Sequence, residues 1–85
     1  MALDSLFQRE GVPEFDRREE LDVRDLKPPE PLQETMDRLT EMEDGAVLVQ
    51  INDRVPQHLF PILQDRGFAY ETLEDDPVYT LIWPE

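Results

Sequence analysis

The chain has no cysteine, and that absence excludes a disulfide framework, a thiolate metal cluster and a thiol nucleophile together. Lysine is almost missing as well. Lys27 is the only one, and with seven arginines it faces 21 acidic side chains, for a formal charge of −13 at pH 7. Nucleic acid and anionic lipid are both polyanions, so both are disfavoured as partners. No apolar run nears the ~20 residues that span a bilayer, and the N-terminus lacks a signal-peptide pattern. A cytoplasmic location away from the membrane is therefore expected. The only serine, Ser5, precedes the patterned part of the chain, which argues against serine hydrolysis. The only histidine, His58, has Asp53 and Asp65 within reach in sequence. One imidazole without thiolates is a thin ligand set, and a surface histidine is the simpler expectation. No catalytic residue, metal or cofactor is expected.

What is abundant is acid, and it is spread rather than gathered in a tail. Residues 1–43 carry 13 acidic and 6 basic side chains, and residues 44–85 carry 8 and 2. High net charge alone suits disorder, yet 39% of the residues are hydrophobic and they are regularly patterned. A solvated acidic shell on a folded domain suits concentrated salt, where a Debye length of ~3 Å at 1 M suppresses self-repulsion. Mimicry of a polyanion toward a basic partner is the remaining alternative.

The 85 residues suffice for one small domain. Residues 1–17 form a leader: Leu3, Leu6 and Phe7 suit one amphipathic turn that Gly11 and Pro13 stop, so a mobile arm or a short packed helix is expected. The domain proper spans residues 18–85. Glu20 to Arg24 alternates like a strand with one buried face. Lys27-Pro28-Pro29-Glu30-Pro31 starts a helix, because proline is tolerated in the first turn and Glu30 and Glu34 suit the positive end of the dipole. Leu32, Met36 and Leu39 then form an apolar stripe, with the helix expected to end at Asp44-Gly45. Ala46 to Ile51 is the strongest strand. Pro56 to Arg66 reads as a second helix, capped by Gly67, in which Pro61 demands an irregular first turn or a late start. Phe68–Leu73 and Val78–Trp83 form a hairpin around residues 74–77.

The order is thus β-α-β-α-β-β: an α/β (α+β) two-layer sandwich, with a four-stranded mixed sheet and two helices on one face. The second sheet face is expected to be open and, depending on register, to show Leu48 and Gln50 with either Tyr70 or Leu73 and either Trp83 or Ile82 from the hairpin; Leu48, Gln50 and Trp83 are the candidate interface for a protein partner or for self-association.

The stretch Leu21-Asp22-Val23-Arg24-Asp25-Leu26-Lys27-Pro28-Pro29-Glu30-Pro31 resembles the opening of the SirA/TusA-like sulfur carriers. There, Leu-Asp is followed by Gly-Leu and then Cys-Pro-X-Pro at the first helix's N-terminus. The chain is more similar still to an uncharacterised TusA-like small-domain family. That group keeps the proline-rich turn, an Asn-Asp after the second strand (Asn52-Asp53), a Pro/Leu-rich second helix (Pro56, Leu59, Pro61) and Gly-Phe-X-Tyr (Gly67 to Tyr70). The resemblance covers residues 18–83 and implies the same sandwich. In it the carrier cysteine falls on Pro28 and the motif glycine on Asp25, so Lys27, Pro28, Pro29, Glu30 and Pro31 form a degenerate motif that cannot carry sulfur. The implied role is a non-catalytic TusA-like protein-binding or accessory module of a high-salt cytoplasm. The alternative is a subunit of a sulfur or redox enzyme system whose partner supplies thiol or metal.

Overall fold

A computed structural model describes residues 2–85. The elements run α1 (Ala2–Phe7), β1 (Arg17–Asp22), α2 (Glu30–Glu41), β2 (Ala46–Asn52), α3 (Leu59–Asp65), β3 (Phe68–Leu73) and β4 (Val78–Pro84). The strands form one mixed sheet in the order β1-β2-β4-β3, with β1 parallel to β2 and β4 antiparallel to both of its neighbours. The crossovers β1–α2–β2 and β2–α3–β3 both travel the same way across the sheet. Right-handed crossovers then place α2 and α3 on the same face, which gives the expected sandwich.

The boundaries of β1 and α2 differ from the sequence reading, and α3 takes the late start that Pro61 allows, each for a physical reason. β1 starts at Arg17 rather than Glu20, because the uncharged β2 offers a continuous ladder from Arg17↔Ala46 to Asp22↔Ile51. Five of its six residues are charged, which protects this sheet edge from pairing with another chain. α2 ends at Glu41, where Met42 turns extended (φ −73°, ψ 144°). Gly45 is therefore not its cap. It makes the turn into β2 at φ +87°, where a Cβ would stand 2.6 Å from the Asp16 carboxylate. α3 starts late, at Leu59, so Pro61 is only its third residue. The N–H that proline lacks falls among the first four, which have no partner inside a helix, and Pro61 costs the helix no hydrogen bond.

The alternation of the strands splits the core in two. Leu48 and Ile82 face α2 and α3 and pack with Leu39, Leu59 and Leu63. Val47, Val49, Leu81 and Trp83 line the opposite face. That second face is not open, contrary to the sequence expectation. Leu6 of α1 is fully buried against it, and Leu3, Phe7, Val12 and Phe15 pack around. The Phe15 ring meets Trp83 edge-on with centroids 5.6 Å apart, Phe7 meets Phe15 at 6.3 Å, and the Arg18 guanidinium lies 3.8 Å above the Phe7 ring. Helical spacing of Leu3, Leu6 and Phe7 supplies the stripe that makes this cover, which a free six-residue helix could not sustain.

Candidate binding cleft at the strand ends

The carboxyl ends of parallel β1 and β2 and the starts of α2 and α3 meet around a cleft of about 820 Å³. Crevices outside the carboxyl ends of strands are where open α/β sheets bind ligands. One wall carries Pro28, Pro29 and Pro31 with Leu32; the other carries Val55, Pro56 and Leu59. Asp53, Arg54, His58 and Glu74 stand at its rim, and the side chains of Gln50 and Asn52 form its floor.

The floor is an ordered amide chain. Thr35 on α2 donates its hydroxyl to the Pro31 carbonyl at 2.7 Å, which leaves Oγ1 to accept from Gln50 Nε2 at 2.9 Å. Gln50 Oε1 in turn accepts from Asn52 Nδ2 at 3.4 Å, while Asn52 Oδ1 accepts the N–H groups of Asp53 (2.8 Å) and Arg54 (3.3 Å). Among the described residues Thr35, Gln50 and Asn52 are three of the four buried polar side chains, and Thr80, the fourth, is paired with Thr72 at 3.1 Å. Among the described residues no buried side-chain polar atom lacks a partner. Both ends of each amide are committed, so the two side chains are held in one orientation in a setting where losing a partner is costly.

The prolines of the Lys27–Pro31 motif line the cleft's first wall, and the motif's hydrogen-bonding groups are largely spent. Pro28, Pro29 and Pro31 have no N–H, Glu30 N–H donates to the Lys27 carbonyl at 2.8 Å, and Gln33 N–H donates to that of Pro29 at 3.2 Å. A helix start normally offers an anion several unpaired N–H groups; this one offers few, beside the carboxylate of Glu30. Just upstream, Asp22 accepts the Arg24 backbone N–H at 3.0 Å and grips its guanidinium through Nη2–Oδ2 at 2.6 Å. Those bonds pull the Asp22 carboxyl from its ordinary 3.8 down to about 2, and they raise the Arg24 guanidinium. The clamp fixes the exit of β1, from which buried Val23 enters the cleft.

The interface residues expected from the sequence need correction. Leu48 and Gln50 lie on the helix-covered face, 0% and 1% exposed, and Trp83 lies on the opposite face at 8%. The register sets this: Leu48 pairs with Ile82, so Trp83 points the other way. The three form no common surface. Gln50, expected on the open face, instead forms the floor of the cleft. The polar Gln50 and Asn52 inside an otherwise apolar strand were the available signal. His58 is exposed at the head of α3 and Asp65 closes its far end, about 10 Å on at 1.5 Å per residue. Among the described residues no three His, Asp or Glu side chains come together as a metal site, and no helix is long and apolar enough to cross a membrane.

No curated protein and no solved structure matches the chain. A family model does, from Glu20 in β1 to Pro84 at the end of β4. Its description, uncharacterized conserved protein, names no activity, and the match leaves α1 and the segment up to Glu19 outside it. It takes in both walls and the floor of the cleft, and over that span the chain belongs to the DUF2249 family.

Proposed function

We propose that this chain is a non-catalytic, TusA-like accessory module of a high-salt cytoplasm that docks a protein partner in the cleft at the ends of β1 and β2. The observation that carries the reading is the floor: Gln50 and Asn52, each held at both ends, beneath walls of proline, leucine and valine. Such a site has the apolar lining and the few fixed polar groups of a recognition surface. It has no thiol, no serine and no paired acid and base, which suits binding rather than chemistry. At the rim Asp53 is paired with Arg54 at 3.5 Å and Glu74 adds a further carboxylate, which with the spent donors of the helix start disfavours a polyanionic partner such as nucleic acid. The test is affinity capture at molar salt with the wild-type chain and with Gln57→Arg and His58→Glu, both at exposed rim positions. The reading requires the rim variants to lose a partner that the wild type retains. Equal capture by all three would refute it.

The second reading, a subunit completed by a partner's thiol or metal, is favoured by the place of Pro28. It lines the cleft wall, and the resemblance to the sulfur carriers would put their cysteine at this position. Under this reading the captured partner bears a reactive thiol or a metal; a partner with neither leaves the first reading alone.

A further inference from the structure

We propose that the cleft takes an X-Pro tertiary amide of its partner, an uncharged, proline-centred segment whose carbonyl accepts from the amide floor. This rests on the reading that a protein partner docks in the cleft, and it names what the partner inserts. The floor can be oriented in only one way. The N–H groups of Asp53 and Arg54 require an oxygen from Asn52, so Asn52 turns Nδ2 toward Gln50. Gln50 meets it with Oε1 and turns Nε2 to Thr35. Each amide nitrogen carries two N–H groups, and each has used one. Among the described residues the second N–H of Gln50 and that of Asn52 have no partner, although the two residues are only 1% and 8% exposed. Both residues line the cleft, so its floor presents donors to whatever fills it.

The walls add few acceptors. Five of the residues that line them already accept through their carbonyls: Val23 from Leu26 N–H at 3.1 Å, Pro29 from Gln33 N–H at 3.2 Å, Pro31 from the Thr35 hydroxyl at 2.7 Å, Val55 from Gln57 N–H at 2.9 Å and Pro56 from Leu59 N–H at 3.0 Å. An ordinary peptide would bring an N–H with each carbonyl and bury it without a partner. An ammonium or guanidinium group only donates, so it fits a donor floor worse still, despite the charge of −13. A carboxylate accepts, but it would be buried beside Glu74 and Asp53, and the Arg54 guanidinium at the rim is paired with Asp53 and 81% exposed. What remains is a carbonyl with neither charge nor N–H, and in a polypeptide that is the amide preceding proline. The proline ring also suits walls of proline, leucine and valine.

Asn52 is the only asparagine, so its side-chain NH2 pair is unambiguous in nitrogen–proton NMR of the full chain at molar salt. The probes are three capped tetrapeptides: acetyl-Ala-Pro-Pro-Ala-amide, acetyl-Ala-Ala-Ala-Ala-amide and acetyl-Ala-Arg-Arg-Ala-amide. The diproline peptide should move the NH2 protons of Asn52 and Gln50 downfield. It should also bind at least about tenfold tighter than the other two, the effect of one buried N–H left unpaired. Equal or tighter binding of the alanine or arginine peptide would overturn the proposal. So would a diproline peptide that fails to bind at millimolar concentration or binds without moving those protons. Asn52→Asp keeps an oxygen for the N–H groups of Asp53 and Arg54 but removes the Nδ2 donors. A folded Asn52→Asp chain that binds the diproline peptide as the wild type does would also overturn it, and the wild-type titration decides the matter if that variant does not fold. Docking itself is judged separately. If Gln57→Arg and His58→Glu lose a captured partner that the diproline peptide cannot displace from the wild type, docking in the cleft stands and the proline assignment falls.

Discussion

Gln50 Nε2 on β2 donates to Thr35 Oγ1 on α2 at 2.9 Å, and this bond ties the cleft floor to its proline wall, because Thr35 itself donates to Pro31. Replacing Gln50 with Leu strands Asn52 Nδ2 and removes the donor to Thr35. The expected loss is about 1–3 kcal/mol, the cost of a buried polar group deprived of its partner. Thr35→Val should destabilise by a similar amount, and the double variant by less than the sum, since the two act as one unit. Denaturant melts of all four chains at fixed salt measure the coupling. Strict additivity would mean that the chain of bonds is not a unit.

The Asp22–Arg24 clamp makes a prediction in pH. With Asp22 depressed to about 2, its contribution to stability is complete above its ordinary 3.8 and fades as pH falls through about 2. Both side chains are nearly half exposed (44% and 46%), so solvent screens the pair and the stability change is small. The titration itself is the sharper readout. Carbon-detected NMR of the Asp22 carboxyl should give a midpoint near 2 in the wild type and a higher one in Arg24→Ala, still below the ordinary 3.8 because the backbone N–H of residue 24 goes on donating to Asp22. A wild-type midpoint at the ordinary value would rule out a persistent clamp.

Leu48 shows how far the sequence could be read. Its strand, its neighbours and the sandwich around it follow from the uncharged run of Ala46 to Ile51 and from the Pro and Gly punctuation, which are local signals. Its face does not follow, because strand alternation defines two sets of side chains without saying which one meets the helices. That choice depends on the pairing of Leu48 with Ile82 and on the crossover geometry, which are non-local. The cleft was half legible. Its proline wall stood out as a motif, whereas its floor of Gln50 and Asn52 required knowing which face is covered. The leader's role depended on Phe15 reaching Trp83 across 68 positions of chain, a contact no local pattern encodes.

The consequence is testable at Leu48 itself. An exposed residue would accept Leu48→Glu without effect on the fold. At 0% exposure the substitution buries an unpaired carboxylate between β2 and the helices, and the variant should fail to fold cooperatively. Leu48→Ala should retain the fold at a cost of about 2–5 kcal/mol. A soluble, native-like Leu48→Glu variant by circular dichroism would contradict the burial.

The absence of cysteine bears on sulfur carriage by the cleft. Sulfur carriage requires a nucleophilic sulfur, and neither Pro28 nor any other residue of the chain offers a thiol. Incubation with a persulfide donor should leave the intact mass unchanged, and a stable sulfur adduct would refute a non-carrier reading.

The charge makes the last prediction. Exposed ion pairs such as Arg17–Glu43 at 3.7 Å and Arg38–Glu19 at 3.7 Å offset only a few of the 21 acidic groups. Self-repulsion among the remainder acts over a Debye length that grows from ~3 Å at 1 M salt to ~10 Å at 0.1 M. The face under the leader depends on apolar burial, which excluded salts such as sulfate strengthen, and its one ionic tie, Arg9–Glu71, is weak and exposed. Dilution from molar salt to 0.1 M should therefore lower the melting temperature and red-shift Trp83 before the far-UV signal is lost, because the leader detaches ahead of the sheet. Melting and emission that ignore salt would remove the basis for a high-salt cytoplasm. Simultaneous loss of both signals would show instead that leader and sheet unfold as one unit.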